Sequence, residues 1–138
     1  MLLKPILRKN SSSSLTIKPQ KFLKMNIEEV REYCLSMPFV TEDFPFDEHT
    51  LVLRVGNKIF ALIPLEKVGQ INLKCDPERA IILREEYSEI VPGYHMSKTN
   101  WNTIHFESIP NALIQELIQH SYDLIFKSLT RKVRESLA

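Results

Sequence analysis

Glycine is scarce in this 138-residue chain, which has three, at positions 56, 69 and 93. Spaced so far apart, they exclude a glycine-rich loop for cradling nucleotide phosphates. Cysteine is scarcer still. Cys34 and Cys75 form no C-x-x-C pair, so zinc-ribbon and thioredoxin-type motifs are excluded. They read as two buried free thiols, with one disulfide or a reactive thiol as the alternatives. No apolar run nears the ~18 residues that span a bilayer, so no membrane role is expected. The four histidines, at 49, 95, 105 and 120, lack the H-x-x-x-H spacing of a helical metal site. His95 and His105 lie ten apart with no third ligand to complete a zinc site. Ser36, Ser121 and Cys34 lack the flanking glycine of a nucleophile elbow. The expectation is a protein without a catalytic site, cofactor or bound metal.

Charge is the next thing unevenly supplied. Residues 1–24 hold six cations (Lys4, Arg8, Lys9, Lys18, Lys21 and Lys24) and no acid. Twelve cations against seventeen acids then remain in 25–138, a net −5. A mildly acidic domain is a poor general DNA binder, because phosphate neutralisation supplies most non-specific affinity. A nucleic-acid site here has to be a local patch. The basic N-terminal stretch, "MLLKPILRKNSSSSLTIKPQKFLK", lacks the apolar core of a secretory signal. It reads as a disordered extension, with a transit peptide or a mis-assigned start as alternatives; in the last case translation begins at Met25. The chain is long enough for one domain with a sizeable core, and that domain is expected to be 25–138.

Within it, Ile27, Val30, Cys34 and Met37 recur at helical spacing. Asn26 is placed to cap that helix, with Glu29 completing a capping box. Pro38 ends it. "LVLRVGNKIFALI", 51–63, reads as a hairpin turning at Gly56-Asn57. "QINLKCD", 70–76, alternates, with Asn72 and Lys74 opposite Ile71, Leu73 and Cys75. Asp76-Pro77 opens a helix over roughly 77–86. "NTIHFE" reads as a strand, and Ser108-Pro110 precede a last helix striped with Leu113, Ile114, Leu117, Ile118, Ser121, Leu124 and Ile125. A kink is expected near 128–130, ahead of a basic end. Hairpin links and alternating faces give an α+β domain, an antiparallel sheet with helices packed on one face.

The stretch "VPGYHMSKTNWNTIHF", 91–106, contains the single Trp and no acid. Strand parity sets Trp101, Thr103 and His105 on one face and Asn102, Ile104 and Phe106 on the core side. Trp101 would then stand near Lys74 on the outer face, where an aromatic beside a cation suits base stacking and phosphate contact. It equally suits protein recognition, and a half-buried packing role is the plain alternative. Lys127, Arg131 and Arg134, read on one continuous helix, share a face. They are either a phosphate-contacting patch or cations complementing the helix dipole.

"CLSMPFVTEDFPF", "INLKCDPERA", "PGYHMSKTNWNTI" and "HSYDLIFKSL" together resemble the MmcQ/YjbR family over about residues 25–138. Asn72, Leu73, Lys74, Pro92, Gly93, Tyr94, His95, Met96, Lys98, Trp101 and Asn102 match its motifs. Ser97 departs from the Asn common before the Lys. The resemblance implies a frataxin-like (CyaY-like) fold of double-wing type and a DNA-binding label that rests on fold and shape. It also likens the acids Glu28, Glu29, Glu32, Glu42, Asp43, Asp47 and Glu48 to a frataxin iron-binding ridge, against the alternative of a solvated face.

The reading is a small cytoplasmic module that binds nucleic acid, DNA in particular, weakly through Lys74, Tyr94, His95, Lys98, Trp101, Lys127, Arg131 and Arg134. The alternative is a protein- or small-ligand-binding module using the Trp101 sheet face, with no nucleic-acid role. The sequence leaves oligomeric state open.

Overall fold

A computed structural model describes residues 25–93 and 97–137. The first helix, α1, spans Ile27–Leu35. Asn26 accepts from the Glu29 N–H, and the Glu29 carboxylate accepts from the Asn26 N–H, so the capping box is formed. Strand β1 (Val40–Asp43) follows, then the hairpin β2 (Thr50–Val55) and β3 (Lys58–Pro64). Gly56 and Asn57 both adopt positive φ, 58° and 69°, as a tight turn matched to strand twist requires. Next come β4 (Gln70–Lys74), α2 (Pro77–Glu86), β5 (Ile90–Pro92) and β6 (Trp101–His105). Asp76 caps α2 through the Arg79 N–H, with Pro77 in the first turn. The chain closes with α3 (Asn111–Ser128) and a separate short helix, α4 (Arg131–Leu137).

The six strands form one sheet in the order β1-β2-β3-β4-β6-β5, and every neighbouring pair is antiparallel. Sequence reading had no strand at 40–43 or 90–92. Both are short edge strands; one carries two acids and the other a proline, features that protect sheet edges but blur a strand pattern. Helix α3 packs on β3 and β4, α1 on β1 and α3, and α2 beside β5. The layout is α+β with the helices gathered on one face of an antiparallel sheet. It is compatible with the frataxin-like description.

The core lies between that face and the helices. Val30 and Cys34 of α1 meet Ile114, Ile118 and Ile125 of α3 over Leu53, Ile63, Ile71, Leu73 and Ile104. Each such side chain contributes ~1.5–3 kcal/mol by leaving water. Between Leu53 and Arg54 the β2–β3 register slips, leaving Phe60 unpaired. This bulge buries Phe60 and Ala61 in succession. It also interrupts the β3–β4 ladder, and α3 repairs the gap. The Ser121 hydroxyl donates to the Phe60 carbonyl at 2.6 Å and accepts from the Lys74 N–H at 2.9 Å. Tyr122 meets Phe60 edge-on with ring centroids 5.5 Å apart, and donates to the Pro38 carbonyl at 2.6 Å. Both cysteines are buried and free; burial pushes the Cys34 thiol up to about 12.

Candidate functional site

The β4–β6 register builds the outer face. Lys74 lies opposite Trp101, Asn72 opposite Thr103 and Gln70 opposite His105. The alternate pairs, Leu73 with Asn102 and Ile71 with Ile104, face the helices. Lys74 and Trp101 are therefore cross-strand neighbours, close enough for their side chains to interact. Both are half-buried, and His105 is exposed.

Several bonds fix the chain as it enters β6. The Trp101 N–H donates to the Ser97 carbonyl at 2.9 Å, and the Gly93 N–H donates to the Trp101 carbonyl at 2.8 Å. A Cβ at Gly93 would lie 2.8 Å from the Trp101 Cβ, so the close approach requires glycine. Arg84 of α2 donates from Nε to Asn102 Oδ1 at 2.7 Å, and from Nη2 to the carbonyls of Lys98 and Trp101. Sequence reading missed Arg84 as an anchor of this turn. Its place in the last turn of α2 reads equally well as a cation complementing the helix dipole. Asn102 Nδ2 is buried beside it without a hydrogen-bond partner among the described residues.

Beside the Lys74–Trp101 pair the outer face is concave. A groove of about 470 Å³ runs over the sheet, within the range of small-ligand sites. Ile59, Leu62, Asn72 and Thr103 line it on the strands. The 44–49 loop and the 64–69 turn flank it, contributing Phe46, Asp47, His49, Glu66 and Lys67. The Thr103 hydroxyl donates to Asn72 Oδ1, which leaves Nδ2 as the donor of that amide. The Leu65 N–H joins turn to loop through the His49 carbonyl at 2.7 Å. Asp47 stiffens the loop by accepting from the N–H groups of His49 and Thr50, both at 2.8 Å. Those bonds hold its carboxyl below the usual range, the one from His49 first. Sequence reading did not find the groove, because four strands and two loops supply it.

The other expected site residues fall elsewhere. Tyr94, His95 and Met96 lie outside the described residues, as do 1–24. Lys98 sits exposed in the turn before β6. Lys127, Arg131 and Arg134 do not share one helix face, since the helix breaks after Ser128. Leu129 is extended and α4 restarts at Arg131. Thr130 Oγ1 accepts from the Val133 N–H at 3.2 Å, capping the new helix. Leu129 and Val133 pack over Gly56 at the hairpin turn, which places these cations at that end of the sheet. Arg131 also pairs with Glu135 at 2.9 Å.

The acids read as a candidate ridge are largely engaged locally. Arg31 Nε donates to Glu42 at 2.7 Å, and that bond holds the Glu42 carboxyl low. Arg54 pairs with Asp43 at 3.2 Å. Among the described residues, no three His, Cys, Asp or Glu side chains gather into a metal-binding group. No helix of the described residues is long and apolar enough to cross a membrane.

A single antiparallel sheet, helices behind it and a concave, mixed-polarity face in front define a small α+β domain with a ligand-sized surface site. The YjbR family model matches residues 35–124, and the chain belongs to that family. It is similar to the uncharacterised protein YbdF of Escherichia coli O157:H7, with 36% identity over 107 residues, covering 76% of this chain and 88% of YbdF. The uncharacterised YjbR of Escherichia coli K12 is 29% identical over 115 residues, 82% of this chain and 98% of that protein. Among solved structures, a Deinococcus radiodurans protein with a DUF419 domain superposes with a TM-score of 0.77. Its identity is 34%, and the match covers 86% of this chain and 91% of that one. A Pseudomonas syringae protein superposes at 0.62 with 30% identity, covering 73% of this chain and 99% of its own.

Proposed function

We propose that the domain is a non-enzymatic binding module that takes nucleic acid, weakly, on the outer face of its sheet. The observation that carries this reading is the cross-strand pair of Lys74 and Trp101. It sets a cation beside an indole on the face opposite the packed helices, which no helix of the described residues covers. Base stacking on such an aromatic is worth ~1–3 kcal/mol, and the lysine supplies a phosphate contact. Lys98, exposed in the adjoining turn, adds a second cation. The domain's net negative charge keeps the affinity low and confines phosphates to this local patch.

The test is a titration of labelled single- and double-stranded DNA at several salt concentrations. Affinity should fall steeply with salt, and Lys74→Glu and Trp101→Ala should each weaken it. A second reading, a protein- or small-ligand-binding module without a nucleic-acid role, is favoured by the acids Asp47 and Glu66 beside the groove. DNA binding that is absent, or that depends only on residues 1–24, would leave that reading in place.

A further inference from the structure

The groove and the Lys74–Trp101 pair lie side by side on the outer face of the sheet. We propose that the groove receives one unpaired nucleobase of a strand whose neighbouring base lies on Trp101, so that the domain prefers single strands to duplex. The inference rests on the nucleic-acid reading and adds its ligand form. Three features of the groove support it.

The first is size and shape. About 470 Å³ accommodates a planar heteroaromatic ring but no double helix. The second is chemistry. Phe46 supplies an aromatic wall, Ile59 and Leu62 an apolar surface, and Asn72, Gln70 and Thr103 an edge of amides and a hydroxyl. Stacking surface plus an amide edge is how proteins hold a splayed base. The third is continuity. Asn72 and Thr103 are paired across the two strands that carry Lys74 and Trp101, two residues further along each, so groove and indole lie one strand repeat of roughly 7 Å apart. The rim sets the ligand's direction. Asp47 and Glu66 border the groove at the loop end against a single cation among the described residues, Lys67, so that rim is net negative and disfavours phosphate. The sugar–phosphate chain must therefore leave toward Lys74, with the base pointing in. A paired base cannot enter, because its edge is already occupied by its partner.

The test uses the full chain with fluorescein-labelled oligodeoxynucleotides: a single strand, the matching duplex, and a single strand of equal length carrying abasic sites. Phe46 is 66% exposed, so Phe46→Ala should fold normally, as checked by circular dichroism. The expected result is tighter binding of the intact single strand than of duplex or abasic strand. Phe46→Ala should weaken intact single-strand binding about tenfold, the scale of one lost stack, with duplex binding unchanged. No effect of Phe46→Ala while Trp101→Ala still weakens binding would overturn the groove assignment and leave the nucleic-acid reading standing, whereas equal affinity for intact and abasic strands would overturn both the groove assignment and the stack on Trp101. Failure of every DNA to bind would overturn the groove assignment and the nucleic-acid reading together. Free deoxynucleosides form the last arm. Shifts of the Asn72 and Thr103 amide resonances at concentrations where the strand has no advantage would assign the groove to a free nucleoside and overturn the strand version.

Discussion

The two faces of the sheet are built from alternate residues of the same strands, and they differ in almost every physical respect. On the helix side, Leu53, Phe60, Ile63, Ile71, Leu73 and Ile104 are all at most 2% exposed. Of the polar groups admitted there, the Ser121 hydroxyl is bonded to the backbone and Asn102 Oδ1 to the Arg84 side chain. On the outer side, buried Leu62 adjoins half-buried Asn72, Lys74 and Trp101 and exposed His105. The first face has complementary packing over its whole area, so its residues act chiefly on stability. The second has an apolar floor with no helix over it among the described residues, and it turns Asn72, Lys74 and His105 at least partly to solvent, so these residues are available to a ligand. Substitutions on the two faces should accordingly separate stability from binding.

The largest effect is expected on the helix side. Phe60→Ala removes a fully buried ring from a bulge that the backbone cannot easily close. It should cost ~3–5 kcal/mol of folding stability, read as the midpoint shift in urea at constant slope. A loss under ~1.5 kcal/mol would mean that the bulge relaxes and the packed face is less committed than its burial indicates.

Ser121 tests the polar element of the same face. Ser121→Ala leaves the Phe60 carbonyl and the Lys74 N–H without their bridge, and unsatisfied buried groups cost ~1–3 kcal/mol. Hydrogen exchange at the Lys74 amide should accelerate more than at Leu73. An unchanged Lys74 amide would show that the strands reclose without the hydroxyl.

The outer face gives the contrasting result. Trp101→Ala should cost less stability than Phe60→Ala, because the indole is half-buried. The same change should remove ~1–3 kcal/mol of nucleic-acid binding. If it destabilises the fold as much as Phe60→Ala does and leaves binding unaltered, Trp101 belongs with the packed face and the contrast fails at this position.

Local chemistry made much of this layout legible. The capping box at Asn26, the Gly56-Asn57 turn and the Asp76-Pro77 helix start are each written in two to four adjacent residues, and each appears where the sequence puts it. Period-two alternation was enough to place Lys74 and Trp101 on one face. What stayed hidden depends on partners far along the chain. The Phe60 bulge exists because β2 and β3 slip by one residue, and Ser121 looks like an ordinary member of an apolar stripe until that slip is known. The groove needs the 44–49 loop to stand over strands whose spatial order differs from their chain order. The helix break had a local sign, Thr130 as a cap for Val133. The sequence marked only a kink there, and the single basic face drawn through 127, 131 and 134 assumed a continuity that the structure lacks.

The smallest predicted effect concerns His120, on α3 at the end of β4. Its Nε2 accepts from the Asp76 N–H at 3.2 Å. Burial lowers its pKa first, and the Arg79 guanidinium lowers it further. Protonation would also replace the acceptor with a donor facing that N–H. The folded-state value thus lies below the unfolded value of 6.5, and between the two the unfolded chain binds the proton more readily. The stability this provides is complete above 6.5 and is lost as pH falls through the folded value. Glu42, Asp47 and Glu116, whose carboxyls are also held low, lose their contributions only at more acid pH, below the ordinary carboxylate range. The interval from about 5 to 6.5 therefore isolates histidines. His120→Gln keeps an acceptor for Asp76 and does not titrate. Across that interval wild-type stability should fall relative to the variant by under ~1 kcal/mol, since solvent screens a ring that is only half-buried. A pH-independent difference between the two proteins would show that His120 contributes by packing and not through its charge.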